Sequence, residues 1–125
     1  FLSPTDQRMN ATVNRIMQDL ASDSLVFRYQ FSGVESDGLP GEEGTFTLCS
    51  FWLVDALTRL GRLEEARLMF EKILSYANHL GLYTEELSIT GEPLGNFPQA
   101  FSHLGLINSA YNLDRALNSR RTSME

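Results

Sequence analysis

The chain has 125 residues and a mass of 14.1 kDa, enough for one domain or part of a larger one. Hydrophobic residues make up 42% and charged residues 21%, the composition of a soluble globular protein that buries a core. Sixteen acids against ten Lys and Arg give a net charge of -6, which argues against a nucleic-acid partner, since basic patches supply most of that affinity, and leaves a neutral substrate such as a sugar open.

No apolar run approaches the ~20 residues that cross a bilayer, and no secretory leader opens the chain, so a cytoplasmic protein without a membrane partner is expected. The single cysteine, Cys49, excludes an internal disulfide and a multi-cysteine metal site. The chain starts at Phe1, as a processed product or a fragment does.

A first helix is predicted from Ser3-Pro4-Thr5-Asp6, with Ser3 as its cap and proline tolerated in the first turn. Met9, Val13, Ile16 and Leu20 follow at spacings of one helical face. Residues 25–31, LVFRYQF, form an extended run, either a strand or a buried crossing segment. Residues 33–44, GVESDGLPGEEG, are too glycine-rich for a helix and carry Glu35, Asp37, Glu42 and Glu43; such a loop is a solvated connector or a carrier of function.

A second helix is predicted over 45–60 and is apolar on nearly every side, the pattern of a helix buried all round. Gly61 ends it, and a one-sided third helix over 62–80 folds back as an antiparallel hairpin, its apolar stripe being Leu63, Ala66, Phe70, Ile73, Leu74 and Ala77. After a second long joint over 82–96, a fourth helix is predicted from Asn96 or Phe97 to about Ala116, with Pro98 in its first turn. Residues 118–125 read as a polar, frayed tail. The fold class is all-α, and the core looks incomplete: the second and fourth helices need more cover than the other two provide.

Dinucleotide, phosphate-loop, zinc-protease, CxxC and serine-hydrolase motifs are absent. His79 and His103 lie on separate helices without an i+4 partner and read as structural or surface residues; Cys49 reads as a small core residue. What remains is two acid-bearing loops, each leading into an apolar helix: Glu42 and Glu43 before the second, and Glu85, Glu86 and Glu92 before the fourth. If those helices are neighbours, the carboxylates converge with Tyr83, Phe46, Trp52, Asn96, Gln99 and Phe101. Acids, amides and aromatics in one cleft suit a sugar, and glycoside hydrolysis uses a carboxyl pair.

Residues 38–57, GLPGEEGTFTLCSFWLVDAL, and 81–111, GLYTEELSITGEPLGNFPQAFSHLGLINSAY, closely resemble the C-terminal part of glucoamylase-like and trehalase-like glycoside hydrolase family 15. The resemblance implies C-terminal helical hairpins of an (α/α)6 toroid over residues 1–117, incomplete as an isolated chain, and an inverting α-glucosidase: glucoamylase, trehalase or glucodextranase. It implies that Glu85 is the general base. Glu86, standing where glucoamylases often have a sugar-binding glutamine, is a substrate contact and the alternative base. Further sugar contacts map onto Glu42, Glu43, Phe46, Asn96, Gln99 and Phe101, and more loosely onto Arg28.

The family's general acid belongs to an earlier hairpin that would precede Phe1, so the fragment alone is expected to be inactive. The implied partners are an α-glucan or trehalose and the rest of the catalytic domain, with self-association of the fragment through its exposed flanks. No cofactor and no metal are expected for the glucoamylase reaction, whereas some family trehalases depend on phosphate and magnesium. A reading from another class, a tetratricopeptide-type binding module, rests on Leu53, Ala66 and Phe70; the period fails, since 34 residues after Gly61 no matching unit begins at Gly95.

Overall fold

The computed structural model describes residues 2–29 and 44–123. The loop holding Glu42 and Glu43 lies outside the described residues. Among the described residues the fold is all-α, with two-residue strands between the helices.

Helix α1 spans Gln7–Leu20. Its cap is Asp6, not Ser3: Asp6 Oδ1 accepts the Arg8 N–H at 2.8 Å, the position from which a short acid satisfies an orphan donor. Val13 is buried, with Met9, Ile16 and Leu20 half-buried on the same face. Strands β1 (Ala21–Ser22) and β2 (Leu25–Val26) form an antiparallel hairpin whose turn residues, Asp23 and Ser24, both have positive φ, as a tight two-residue hairpin turn requires. Val26 N–H donates to Ser50 Oγ at 3.0 Å, fixing the hairpin to the next helix.

Strand β3 (Thr45–Phe46) leads directly into α2 (Thr47–Arg59). Phe51, Val54 and Leu57 have no exposed surface and centre the core. Trp52 is 58% exposed: α1, α3 and α4 leave one side of α2 uncovered, the lack of cover expected for a helix apolar on nearly every side. Gly61, at φ +77°, makes the turn into α3 (Leu63–Leu74), whose buried side is Leu63, Ala66, Met69 and Ile73. Leu74 is exposed, unlike the predicted stripe. This helix also stops short of Leu80. Asn78 Oδ1 accepts the N–H groups of Leu80 and Leu82, a local alternative to helical hydrogen bonds, and Gly81 has positive φ.

Strands β4 (Glu86–Leu87) and β5 (Pro93–Leu94) complete a three-stranded antiparallel sheet in the order β3-β4-β5. Helix α4 runs over Ala100–Thr122, later at both ends than predicted. Pro98 precedes it, and the N–H of Gln99, its cap residue, is committed to Tyr83 O at 3.0 Å.

Among the described residues, helices α2 and α4 form the most extensive packing, and they run parallel. Gly105 lies against Leu48 and Phe51, Ser109 Oγ donates to Phe51 O at 2.7 Å, and Asn112 Nδ2 donates to Asp55 Oδ1 at 2.6 Å. Small side chains make this approach close. Helix α4 carries apolar residues on both sides: Ser102, Gly105, Ser109 and Leu113 are buried, while Phe101, Leu104, Ile107 and Tyr111 are 60–65% exposed.

Candidate active site

Because α2 and α4 run parallel, the segments leading into them meet at one end of the molecule. The small sheet joins them there, with Thr45 opposite Leu87 and Phe46 opposite Glu86. Gly44 sits under this ladder; a Cβ at that position would lie 2.7 Å from Leu87 O.

The backbone at Glu85 is held from both sides. Its N–H donates to Asn96 O at 2.9 Å, and its carbonyl accepts from the Thr47 N–H at 3.0 Å. Just before it, Thr84 O accepts from Ser102 Oγ at 3.0 Å, and the Tyr83 N–H donates to His103 Nε2 at 3.1 Å. The half-buried Glu85 carboxylate accepts the Asn96 N–H on Oε2 at 3.0 Å. Among the described residues, Oε1 takes no hydrogen bond, so one oxygen is anchored while the other is open to a water molecule.

Glu86 leaves the strand in a different direction, as neighbouring residues of extended chain do. Its Oε2 accepts the Gly44 N–H at 3.2 Å, and Oε1 lies 3.8 Å from Arg28 Nη2. The Arg28 guanidinium stands 4.8 Å over the ring of Phe46, in cation–π contact. Arg28, Phe46 and Glu86 therefore form one cluster, and Glu85, Gly95 and Asn96 form another, across the same strand.

Gln99 is half-buried, its side-chain amide 2.9 Å from Ser102 Oγ, whose one proton goes to Thr84 O, and Phe101 projects outward from α4. Tyr83, grouped with the site by its place in the sequence, is turned inward instead: it is 3% exposed, stacks edge-on against Phe51 and His103, and its phenol is pushed above the ordinary range by burial. Burial also pushes the Cys49 thiol up, more than the nearby charge of Arg28 lowers it, which keeps it an inert thiol.

Sequence reasoning missed the residues that hold Glu85 in place: Gly95, Ser102 and His103. A signal was present, since Gln99, Ser102 and His103 stand at i, i+3 and i+4, a polar stripe in an otherwise apolar helix. Among the described residues, no group of three or more His, Cys, Asp or Glu comes together as a metal site, and no helix is long and apolar enough to cross a membrane.

The sequence matches the family described as glycosyl hydrolases family 15 over residues 1–111. Among curated proteins it is 51% identical over 117 residues to a trehalase of Mycolicibacterium smegmatis and 50% identical over 117 residues to one of Mycobacterium tuberculosis; each alignment covers 93% of this chain and 17% of the relative. A trehalase of Thermoplasma volcanium is 43% identical over 126 residues, covering 99% of this chain and 20% of the relative. The chain thus spans a fifth or less of the length of these relatives. No solved structure gives a significant match. On this extent of agreement, the chain belongs to glycosyl hydrolase family 15.

Proposed function

We propose that residues 1–117 are the C-terminal part of a glycoside hydrolase catalytic domain, an (α/α)6 toroid with 118–125 at its polar end. In this reading the intact enzyme hydrolyses trehalose with inversion. Relatives named as trehalases support trehalose over the family's glucoamylase and glucodextranase substrates. The observation that carries the reading is the state of Glu85: a carboxylate just before β4, its backbone hydrogen-bonded on both sides, anchored through one oxygen and open at the other.

In the mechanism, Glu85 Oε1 takes a proton from a water as that water attacks the anomeric carbon. An acid from another part of the enzyme protonates the departing glycosidic oxygen. Inversion places the two carboxyls ~6.5–9.5 Å apart to admit the water. The Asn96 N–H on Oε2 stabilises the ionised carboxylate without occupying the oxygen that works. Glu86, Arg28, Phe46, Asn96, Gln99 and Phe101 serve the sugar, together with Glu42 and Glu43 of the preceding loop. Glu86 is less suited to be the base, because both its oxygens are already engaged by Gly44 and Arg28.

The test is Glu85→Gln in the full-length enzyme, with glucose release measured on trehalose and on maltooligosaccharides. Loss of a positioned general base lowers turnover by ~10²–10⁴. Near-normal turnover removes Glu85 from the role, and preference for maltooligosaccharides replaces trehalose as the substrate.

A further inference from the structure

The proposed base sits two residues after a backbone N–H that is satisfied in an unusual way. Tyr83 is almost fully buried, so its N–H requires a protein partner, and the partner is the ring nitrogen Nε2 of His103, at 3.1 Å. A backbone amide can only donate. Nε2 must therefore be the unprotonated nitrogen of a neutral imidazole, with its proton on Nδ1. The ring is further fixed edge-on against the Tyr83 ring, with centroids 5.6 Å apart.

This bond is one of three between the first turn of α4 and the approach to Glu85. Gln99 N–H donates to Tyr83 O at 3.0 Å, and Ser102 Oγ donates to Thr84 O at 3.0 Å. The Gln99 bond uses backbone and survives any side-chain change. The Ser102 bond holds a carbonyl that faces α4. His103 alone among the three supplies an acceptor, and it fixes the direction in which the chain enters residues 83–85.

We propose that His103 is a positioning residue: its neutral imidazole, through the Tyr83 N–H, sets the segment 83–85 that aims Glu85. This rests on the reading of Glu85 as the base. Removing the acceptor leaves a buried N–H unpaired, and the strand shifts toward another partner, taking the carboxylate with it. A misplacement of about 1 Å at a reacting group costs on the order of 10²-fold in rate. Sugar contacts on the Arg28–Phe46–Glu86 side of the strand are less affected, so the loss falls on kcat.

The experiment compares His103→Leu, which deletes the acceptor, with His103→Gln, which restores an acceptor oxygen at similar reach, in the full-length enzyme with trehalose. The expected result is a kcat lowered about 10–10²-fold in the Leu variant with KM little changed, and a kcat recovered most of the way in the Gln variant. A Leu variant that keeps normal kcat, or one whose entire loss is in KM, overturns the proposal. So does a Gln variant as slow as the Leu one. Where the Leu variant does not fold, site-resolved hydrogen exchange of the wild-type Tyr83 amide decides: slow exchange is expected, and exchange at the rate of a free loop overturns the tether. Glu85→Gln is assayed alongside. If it retains turnover the base assignment fails, whereas the His103–Tyr83 bond is still judged by exchange.

Discussion

Gly95 and Glu85 are in such close contact that a side chain on the first would strike the carboxylate of the second. A Cβ built on Gly95 would lie 2.9 Å from Glu85 Oε2 and 3.1 Å from Glu85 Cβ. Gly95 also has φ +70°, where a side chain costs roughly 1–2 kcal/mol. Gly95→Ala combines both penalties, and the Glu85 carboxylate is the part able to yield. The expected outcome in the intact enzyme is a turnover lowered about 10²-fold, with the protein still folded by circular dichroism. Wild-type turnover in this variant would show that Gly95 does not set the position of Glu85.

Glu85 and Glu86 are adjacent, yet their side chains keep separate company. Glu86→Gln retains an oxygen for the Gly44 N–H and removes the charge beside Arg28. At 3.8 Å and with Arg28 41% exposed, that ion pair contributes only about 0.2–1 kcal/mol to stability. The expected effect of Glu86→Gln is therefore a raised KM with kcat within a few-fold of wild type, in contrast to a fall of ~10²–10⁴ in kcat for Glu85→Gln. Steady-state kinetics of the two variants side by side gives the answer; the reverse pattern transfers the base role to Glu86.

Much of this organisation was legible in the sequence because α1 and α3 carry a one-sided apolar period and α2 and α4 are long runs rich in apolar residues. The helix ends were less legible. Leu74 to Leu80 continues an apolar helical pattern, but Asn78 spends its side chain on the Leu80 and Leu82 amides and ends α3 early. Pro98 is acceptable in a first helical turn, yet the pairing of Gln99 with Tyr83, a contact 16 residues distant, moves the helix start past it. The candidate site was proposed from the sequence as a set of acids and amides, through family resemblance, whereas the direction of each side chain was not legible there. Only long-range contacts decide it: the pairing of Glu86 with Phe46 separates Glu86 from Glu85, and the bonds of Tyr83 to Gln99 and His103 hold that residue inward.

The exposed apolar face of α4 predicts opposite consequences for the isolated chain and the intact enzyme. Phe101, Leu104, Ile107 and Tyr111 form a large apolar stripe, with Trp52 of α2 likewise exposed. In the reading above, the remainder of the catalytic domain covers this surface. The isolated 125-residue chain is expected to self-associate in sedimentation, and the double variant Leu104→Lys, Ile107→Lys to associate less. In the full-length enzyme the same pair buries two unpartnered charges, and a loss of more than about 4 kcal/mol in stability is expected. A monomeric wild-type fragment, or a stable full-length double variant, contradicts the assignment of this face to the domain interior.

Tyr83 supplies a prediction in pH. Its phenol is buried, donates to Leu74 O at 3.3 Å, and is held protonated above its ordinary value of 10.0 by the loss of solvation. In the unfolded chain the same group ionises at the ordinary value. Below that pH both states carry the proton and Tyr83 adds no pH dependence. Above it the unfolded state releases the proton while the folded state retains it, so stability falls as pH rises until the folded group also titrates. Tyr83→Phe removes this source of alkaline loss and gives up one long hydrogen bond. The thermal midpoint of the full-length enzyme is therefore expected to fall more steeply between about pH 9 and 11 in the wild type than in the Phe variant. The other tyrosines and the lysines are common to both proteins and cancel in the comparison. Parallel curves would place the Tyr83 hydroxyl in contact with solvent, contrary to its packing against Phe51 and His103.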